Sequence, residues 1–242
     1  PTLTLAQSTV NFTEVNNAIG YAGISIADGV ILGDADQTTL SSMTVKLVNP
    51  QAGDVLYIGR NPISNFSLEG MGTNEITVSG NWSITEYQSL LRDFKFYNDS
   101  DMPDTTPREI EISVNDGQSA NNLRTQTVTV NVISTNDLPT VEGILDLYCY
   151  EDETSPLDFS FITLHDPDIG TGDLTVKIKV TAGSLLAESG AGVTVSNSDT
   201  SELTLVGAKN ALNTYFLSAP SVISYKPVAN ANGVETLTLS VA

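Results

Sequence analysis

Two Asp-x-Asp pairs, Asp34/Asp36 and Asp166/Asp168, each follow a short apolar run, Val30-Ile31-Leu32 and Ile162-Thr163-Leu164. Residues two apart on an extended segment face the same way, so the carboxylates of each pair converge. Like charges held together repel unless a cation sits between them. Pro167 restricts the second pair to an extended shape, and Asp173, after Gly170-Thr171-Gly172, can fold a further oxygen inward. A third oxygen-rich stretch is Asn136-Asp137, within Ser134-Thr135-Asn136-Asp137-Leu138-Pro139-Thr140, where Pro139 stiffens the exit. Glu14 and Asp116 stand where an early and a late strand should end. If both ends face the Asn136-Asp137 join, Glu14, Asp116, Asn136, Asp137, Asp166 and Asp168 assemble around one or more ions. An all-oxygen, irregular donor set of this kind suits Ca²⁺, which takes six to eight oxygens, and not zinc. The competing reading is that these are solvated turn residues with no ligand.

Other chemistries fit poorly. The lone histidine, His165, adjoins Asp166, but neighbouring strand residues point to opposite faces and no Gly-x-Ser-x-Gly elbow exists. Gly70-Met71-Gly72 lacks the Lys and the helix of a phosphate loop. The chain is therefore expected not to be an enzyme. Its single cysteine, Cys149 in Leu147-Tyr148-Cys149-Tyr150, excludes an intrachain disulfide and, from its alternating apolar setting, is expected in the core. Trp82 is expected to pack against Leu90 and Leu91 rather than to stack on a sugar.

Composition agrees with a cation as partner. Over 242 residues, 29 acidic side chains face 10 basic ones, a formal net charge of −19. Phosphates would be repelled, so nucleic acid and anionic membrane are excluded as partners. No apolar run approaches the ~18 residues of a membrane span, so no membrane insertion is expected. Hydrophobic residues make up 40%, enough for one or two cored domains. The start at Pro1, without a basic leader, and the end in mid-strand pattern read as part of a longer protein.

The elements that must position these residues are short strands. Met43–Val48, Glu75–Val78, Glu109–Val114 and Thr125–Val132 alternate with period two, and turn signals such as Asn49-Pro50, Glu69-Gly70 and Asn115-Asp116-Gly117 separate them. This spacing predicts a β-sandwich. One helical turn is predicted over 83–91, where Ser83 and Glu86 have capping-box spacing. The second half also repeats the first in order. Glu14-Val15 matches Glu151-Asp152-Glu153, Val30–Asp36 matches Ile162–Asp168, and Met43–Leu47 matches Leu174–Ile178. Further on, Ile76–Gly80 matches Leu203–Gly207, Phe94–Tyr97 matches Ile223–Lys226, and Arg108–Val114 matches Glu235–Val241.

On Phe12-Thr13-Glu14, the two Asp-x-Asp pairs, Val114-Asn115-Asp116-Gly117 and the Val132-to-Pro139 stretch, the chain resembles the bacterial cadherin-like repeats of large secreted adhesins. The resemblance implies an all-β chain of two tandem antiparallel Greek-key, immunoglobulin-like sandwiches, with Ca²⁺ at the junctions between repeats stiffening a rod on the cell surface. Repeat one would span 1–138 and repeat two, C-terminally incomplete, 139–242. Within the resemblance Glu14, Asp116, Asn136, Asp137, Asp166 and Asp168 serve one junction. Asp34 and Asp36 face a preceding repeat, and Glu151 and Asp152 a following one. The linker lacks the doubled, Asp-rich form of animal cadherins, which leaves the number of ions open. The expected location is extracellular, and the expected partners are neighbouring repeats of the same chain and a cell-surface protein or polysaccharide. The alternatives are a carbohydrate-binding module of a secreted polysaccharide-degrading system, with Trp82 or the tyrosines as platform, and an acidic spacer without a specific ligand.

Overall fold

The computed structural model describes residues 1–15, 23–59, 66–143, 147–218 and 222–242. The chain is all-β with two short helices, and it divides into two units, Pro1–Thr135 and Asn136–Ala242.

In the first unit the long strands are β5 (Thr39–Leu47), β8 (Glu75–Ser83), β10 (Arg108–Asn115) and β11 (Leu123–Ile133). With β2 (Thr9–Thr13) and β7 (Ser67–Glu69) they form one sheet in the order β2-β11-β10-β5-β8-β7. All its pairings are antiparallel except β2 with β11. A second sheet, β3-β9-β6, joins Ile24–Ser25, Phe94–Asn98 and Asp54–Ile58, and β1 (Thr2–Thr4) pairs with β4 (Ile31–Gly33). Alternation decides the inner faces. In β10 Ile110, Ile112 and Val114 are fully buried while Glu109 and Glu111 face out. The core between the sheets gathers these with Val45, Leu47, Ile76, Val78, Leu90, Phe94, Phe96 and Val128. Helix α1 (Ile84–Leu91) starts at Ser83, whose hydroxyl accepts the Glu86 N–H while the Glu86 carboxylate accepts the Ser83 N–H, the capping box expected there. Trp82 lies against Phe66, with ring centroids 5.0 Å apart.

The second unit follows the same plan. Its sheets are β17-β18-β15-β20 (Thr194–Ser196, Glu202–Ala208, Asp173–Val180, Leu237–Val241) and β13-β19-β16 (Ser155–Pro156, Ile223–Lys226, Ser184–Ala187). β12 (Thr140–Glu142) pairs with β14 (Thr163–His165), and helix α2 (Lys209–Phe216) follows β18 as α1 follows β8. Strand for strand these repeat β7-β8-β5-β10, β3-β9-β6 and β1-β4. Registers correct one sequence match. Val45 pairs with Ile76 and Ile112, and Ile178 pairs with Leu203 and Leu239, so Val45 corresponds to Ile178 and not to Val176. Cys149 is exposed, not buried as expected. Leu147–Tyr150 belongs to no strand, and Tyr148 and Tyr150 are 83% and 76% exposed. Alternation there has no partner strand to define an inner face.

Candidate metal centre

In the second unit the antiparallel register brings the acids together. Thr140 at the start of β12 pairs with His165 at the end of β14, so Asp137, three residues before Thr140, and Asp166, one after His165, lie at the same end. The Asp137 N–H donates to Asp168 Oδ2 at 3.1 Å. Asp166 Oδ1 accepts the Ile169 N–H at 2.9 Å, closing the turn that carries Asp168 back. Asp137 is fully buried and Asp166 is 3% exposed. The other Asp168 oxygen, Oδ1, is buried without a hydrogen-bond partner. An ionised oxygen left so is costly, and a cation removes that cost. The Asn136 side chain donates its Nδ2 to the Asp137 carbonyl at 2.6 Å. Every side-chain donor atom that Asp137, Asp166 and Asp168 offer is a carboxylate oxygen, so this set fits a hard divalent cation and would hold Ca²⁺ rather than zinc. His165 points elsewhere: it is exposed, with Nε2 3.3 Å from Glu142 Oε2.

The first unit builds its pair in the same way. Thr2, after Pro1, pairs with Gly33, which precedes Asp34, as Thr140, after Pro139, pairs with the residue before Asp166. Asp34 Oδ1 accepts the N–H groups of Asp36 and Gln37 at 3.1 and 3.2 Å. Asp34 Oδ2 lies 3.0 Å from the Pro1 nitrogen, and Asp116 Oδ2 lies 3.4 Å from the same atom. The two carboxylates, whose side chains are 3% and 5% exposed, thus face the same nitrogen. The pair is electrically tense. Hydrogen bonds from Asp36, with a further one from the Gln37 backbone, hold the Asp34 carboxyl well below its usual range. The hydrogen bond and negative charge of Asp34 push Asp36 above its own.

Within the first unit Asp116 and Glu14 do not share an end, as the expected site with Asn136 and Asp137 required. Strand β10 runs antiparallel to β11, with Asn115 opposite Leu123, while Glu14 sits at the other end of β11, its N–H bonded to the Ile133 carbonyl at 2.9 Å. About ten residues of strand, on the order of 30 Å, separate the two ends. Asp116 is instead held in its turn, Oδ1 accepting the Gln118 N–H at 2.8 Å, and Gly117 at φ +82° supplies the left-handed step.

At the Glu14 end, Glu14 is 5% exposed, and its Oε2 accepts the Thr135 N–H at 3.0 Å and the Ser134 hydroxyl at 3.2 Å. Asp101 offers a carboxylate oxygen within 4.8 Å of one from Glu14. Asp101 escaped the sequence reading because it sits in the irregular segment 99–107, where no period marks it. That segment is tethered from below. Arg108, fully buried, grips Asp54 through Nε–Oδ2 at 2.8 Å and Nη2–Oδ1 at 3.1 Å, and its Nη1 donates to the carbonyls of Asp104, at 2.6 Å, and Thr106. Asn98 donates to Asp54 Oδ1 at 2.8 Å and accepts the Ser100 N–H at 2.9 Å. A bidentate, fully desolvated Arg–Asp pair gives this loop one geometry. Glu151 and Asp152, expected at a following junction, occupy an exposed turn where Asp152, at φ 61°, accepts the Asn230 N–H at 2.7 Å.

No family profile matches the chain, and no curated protein does. Among solved structures it is similar to the protocadherin gamma B2 extracellular cadherin domains 1–5, at 16% identity over 85% of this chain and 32% of that one, with a TM-score of 0.26. It is also similar to the human desmocollin-1 ectodomain, at 14% identity over 99% of this chain and 39% of that one, with a TM-score of 0.28. The chain spans about a third of the first and two fifths of the second. At such scores the fold rests on the strand registers above.

Proposed function

We propose that the chain is a pair of calcium-binding, adhesion-type structural repeats of an extracellular, rod-like protein, related to bacterial cadherin-like repeats. Ca²⁺ at the junction would take oxygens from Glu14 and Asp101 on one side and from Asn136, Asp137, Asp166 and Asp168 on the other. The observation that carries this reading is the buried, unpartnered Asp168 Oδ1 beside Asp137, whose own N–H holds the other oxygen of the same carboxylate. Chain continuity supports it, because Thr135, bonded to Glu14, is followed directly by Asn136 and Asp137. The ion serves rigidity and not catalysis. A metal that binds only the ordered junction stabilises it by RT ln(1 + [Ca²⁺]/Kd), about 2.7 kcal/mol at a hundredfold excess over Kd. Calcium titration of the metal-stripped protein, followed by thermal stability and X-ray scattering, should raise the melting temperature and narrow the distribution of particle dimensions. D166A/D168A should lose that response. Constancy of both observables up to millimolar calcium would sink the reading.

A second reading, carbohydrate binding, is favoured by a cavity of about 520 Å³ in the second unit, lined by the exposed Tyr148 and Tyr150 together with Tyr225, Glu151 and Glu235. Aromatic faces beside carboxylates are suited to a sugar ring. Binding on a glycan array that Y148A/Y150A abolishes would support it, and an empty array would remove it.

A further inference from the structure

The two helices grip the strands that carry the Asp-x-Asp pairs, and they do so with the same spacing. In the second unit the Asn213 side chain accepts the Leu164 N–H at 2.8 Å and donates to the Leu164 carbonyl at 3.1 Å. One turn earlier on α2, Lys209 Nζ donates to the carbonyl of Asp166 itself. In the first unit Gln88 accepts the Leu32 N–H at 2.9 Å, and one turn later Arg92 Nη2 donates to the Val30 carbonyl at 2.9 Å. Gln88 and Asn213 are both the fifth residue of their helices. Four residues of helix rise about 6 Å, and two residues of strand about 6.6 Å, so side chains at i and i+4 match main-chain groups at j and j−2. Each helix therefore meets β4 or β14 as a neighbouring strand would, along the edge that β1 or β12 leaves open.

We propose that Asn213 and Gln88 are positioning residues for the Asp-x-Asp carboxylates: each amide locks the backbone two residues before the first aspartate, so that the pair is presented to its cation in one geometry. The role rests on the reading of these aspartates as calcium ligands. Neither amide touches the ion. In the second unit the lock is tighter, because Asn213 holds both main-chain groups of Leu164 and Lys209 holds Asp166 directly. Groups that orient ligands from behind in this way typically cost 10- to 100-fold in metal affinity when removed.

The test uses the full chain in a D34A/D36A background, stripped with EDTA, so that a calcium titration by calorimetry reports the second unit. N213L keeps the volume and removes both hydrogen bonds; it should weaken calcium binding roughly tenfold or more. N213Q, which restores an amide of the kind that serves in α1, should recover most of the loss. Melting in EDTA records any purely structural effect separately, because affinity is titrated well below that transition. Binding by N213L within twofold of its parent overturns the positioning role and leaves the calcium reading standing. No binding by the parent overturns both. Should N213L lose its folded circular dichroism, Q88L in a D166A/D168A background runs the same test on the first unit with the same two outcomes.

Discussion

At the scale of single residues, the Asp34–Asp36 pair carries a pH signature. Asp36 titrates above its usual value because Asp34, beside it, stays ionised far down the pH scale. The folded state therefore binds the Asp36 proton more tightly than the unfolded chain does. By linkage the repulsion destabilises the metal-free fold in full above the raised Asp36 value, and that cost fades as pH falls through it and is gone below the ordinary aspartate range. D36N should raise the melting temperature of the metal-free protein at pH 7, and the gain should shrink toward zero near pH 3. A gain that is the same at both pH values would show that the pair is not electrostatically strained. The charge of Asp116 adds to the same negative field, so D116N should act in the same direction.

At the scale of elements, the two helices differ in one local device. Ser83 caps α1, whereas Ala208 stands at the same point of α2 with nearly the same backbone angles, φ −58° and ψ 144° against φ −61° and ψ 148°, and no side-chain cap. A serine cap contributes about 1 kcal/mol, so S83A should destabilise and A208S should stabilise by about that amount, read from urea unfolding. If A208S has no effect, the α2 N-terminus is already satisfied by water. Such local features were legible in the sequence, because the chemistry that makes them acts over three or four residues: the Ser83–Glu86 box, the alternation of Glu109–Val114, the convergence of Asp34 with Asp36. What escaped depends on partners far along the chain. The end of β10 that carries Asp116 meets Pro1 only through the order of the sheet, and no period of two reports strand direction. Asp101 is held near Glu14 by an arginine that reaches back to Asp54. Matching Val45 to Val176 rather than to Ile178 kept every side chain on its correct face, since a slip of two preserves the pleat, and so nothing in the pattern could reveal it.

At the scale of the whole molecule, the net charge of −19 implies a fold under self-repulsion that either screening or bound cations can relieve. The two remedies differ. Monovalent salt acts through the Debye length, about 10 Å at 0.1 M, and so damps repulsion between exposed carboxylates everywhere. A bound calcium ion neutralises carboxylates that bulk salt reaches poorly, such as Asp137 and Asp166, which are almost wholly buried. The metal-free protein should therefore gain melting temperature as sodium chloride rises from about 0.02 M to about 0.5 M. With calcium saturating throughout, the curve should lie higher and run parallel, because the buried repulsion is already gone and the same exposed charges remain to be screened. Calorimetric scans with and without calcium across that salt range decide it. Convergence of the two curves at high salt would mean that calcium relieves no repulsion that salt does not, which is the behaviour of an acidic spacer with diffuse counter-ions. A calcium-dependent offset that persists at high salt would place the relief at the buried carboxylates, and D166A/D168A should then remove the offset while leaving the metal-free slope intact.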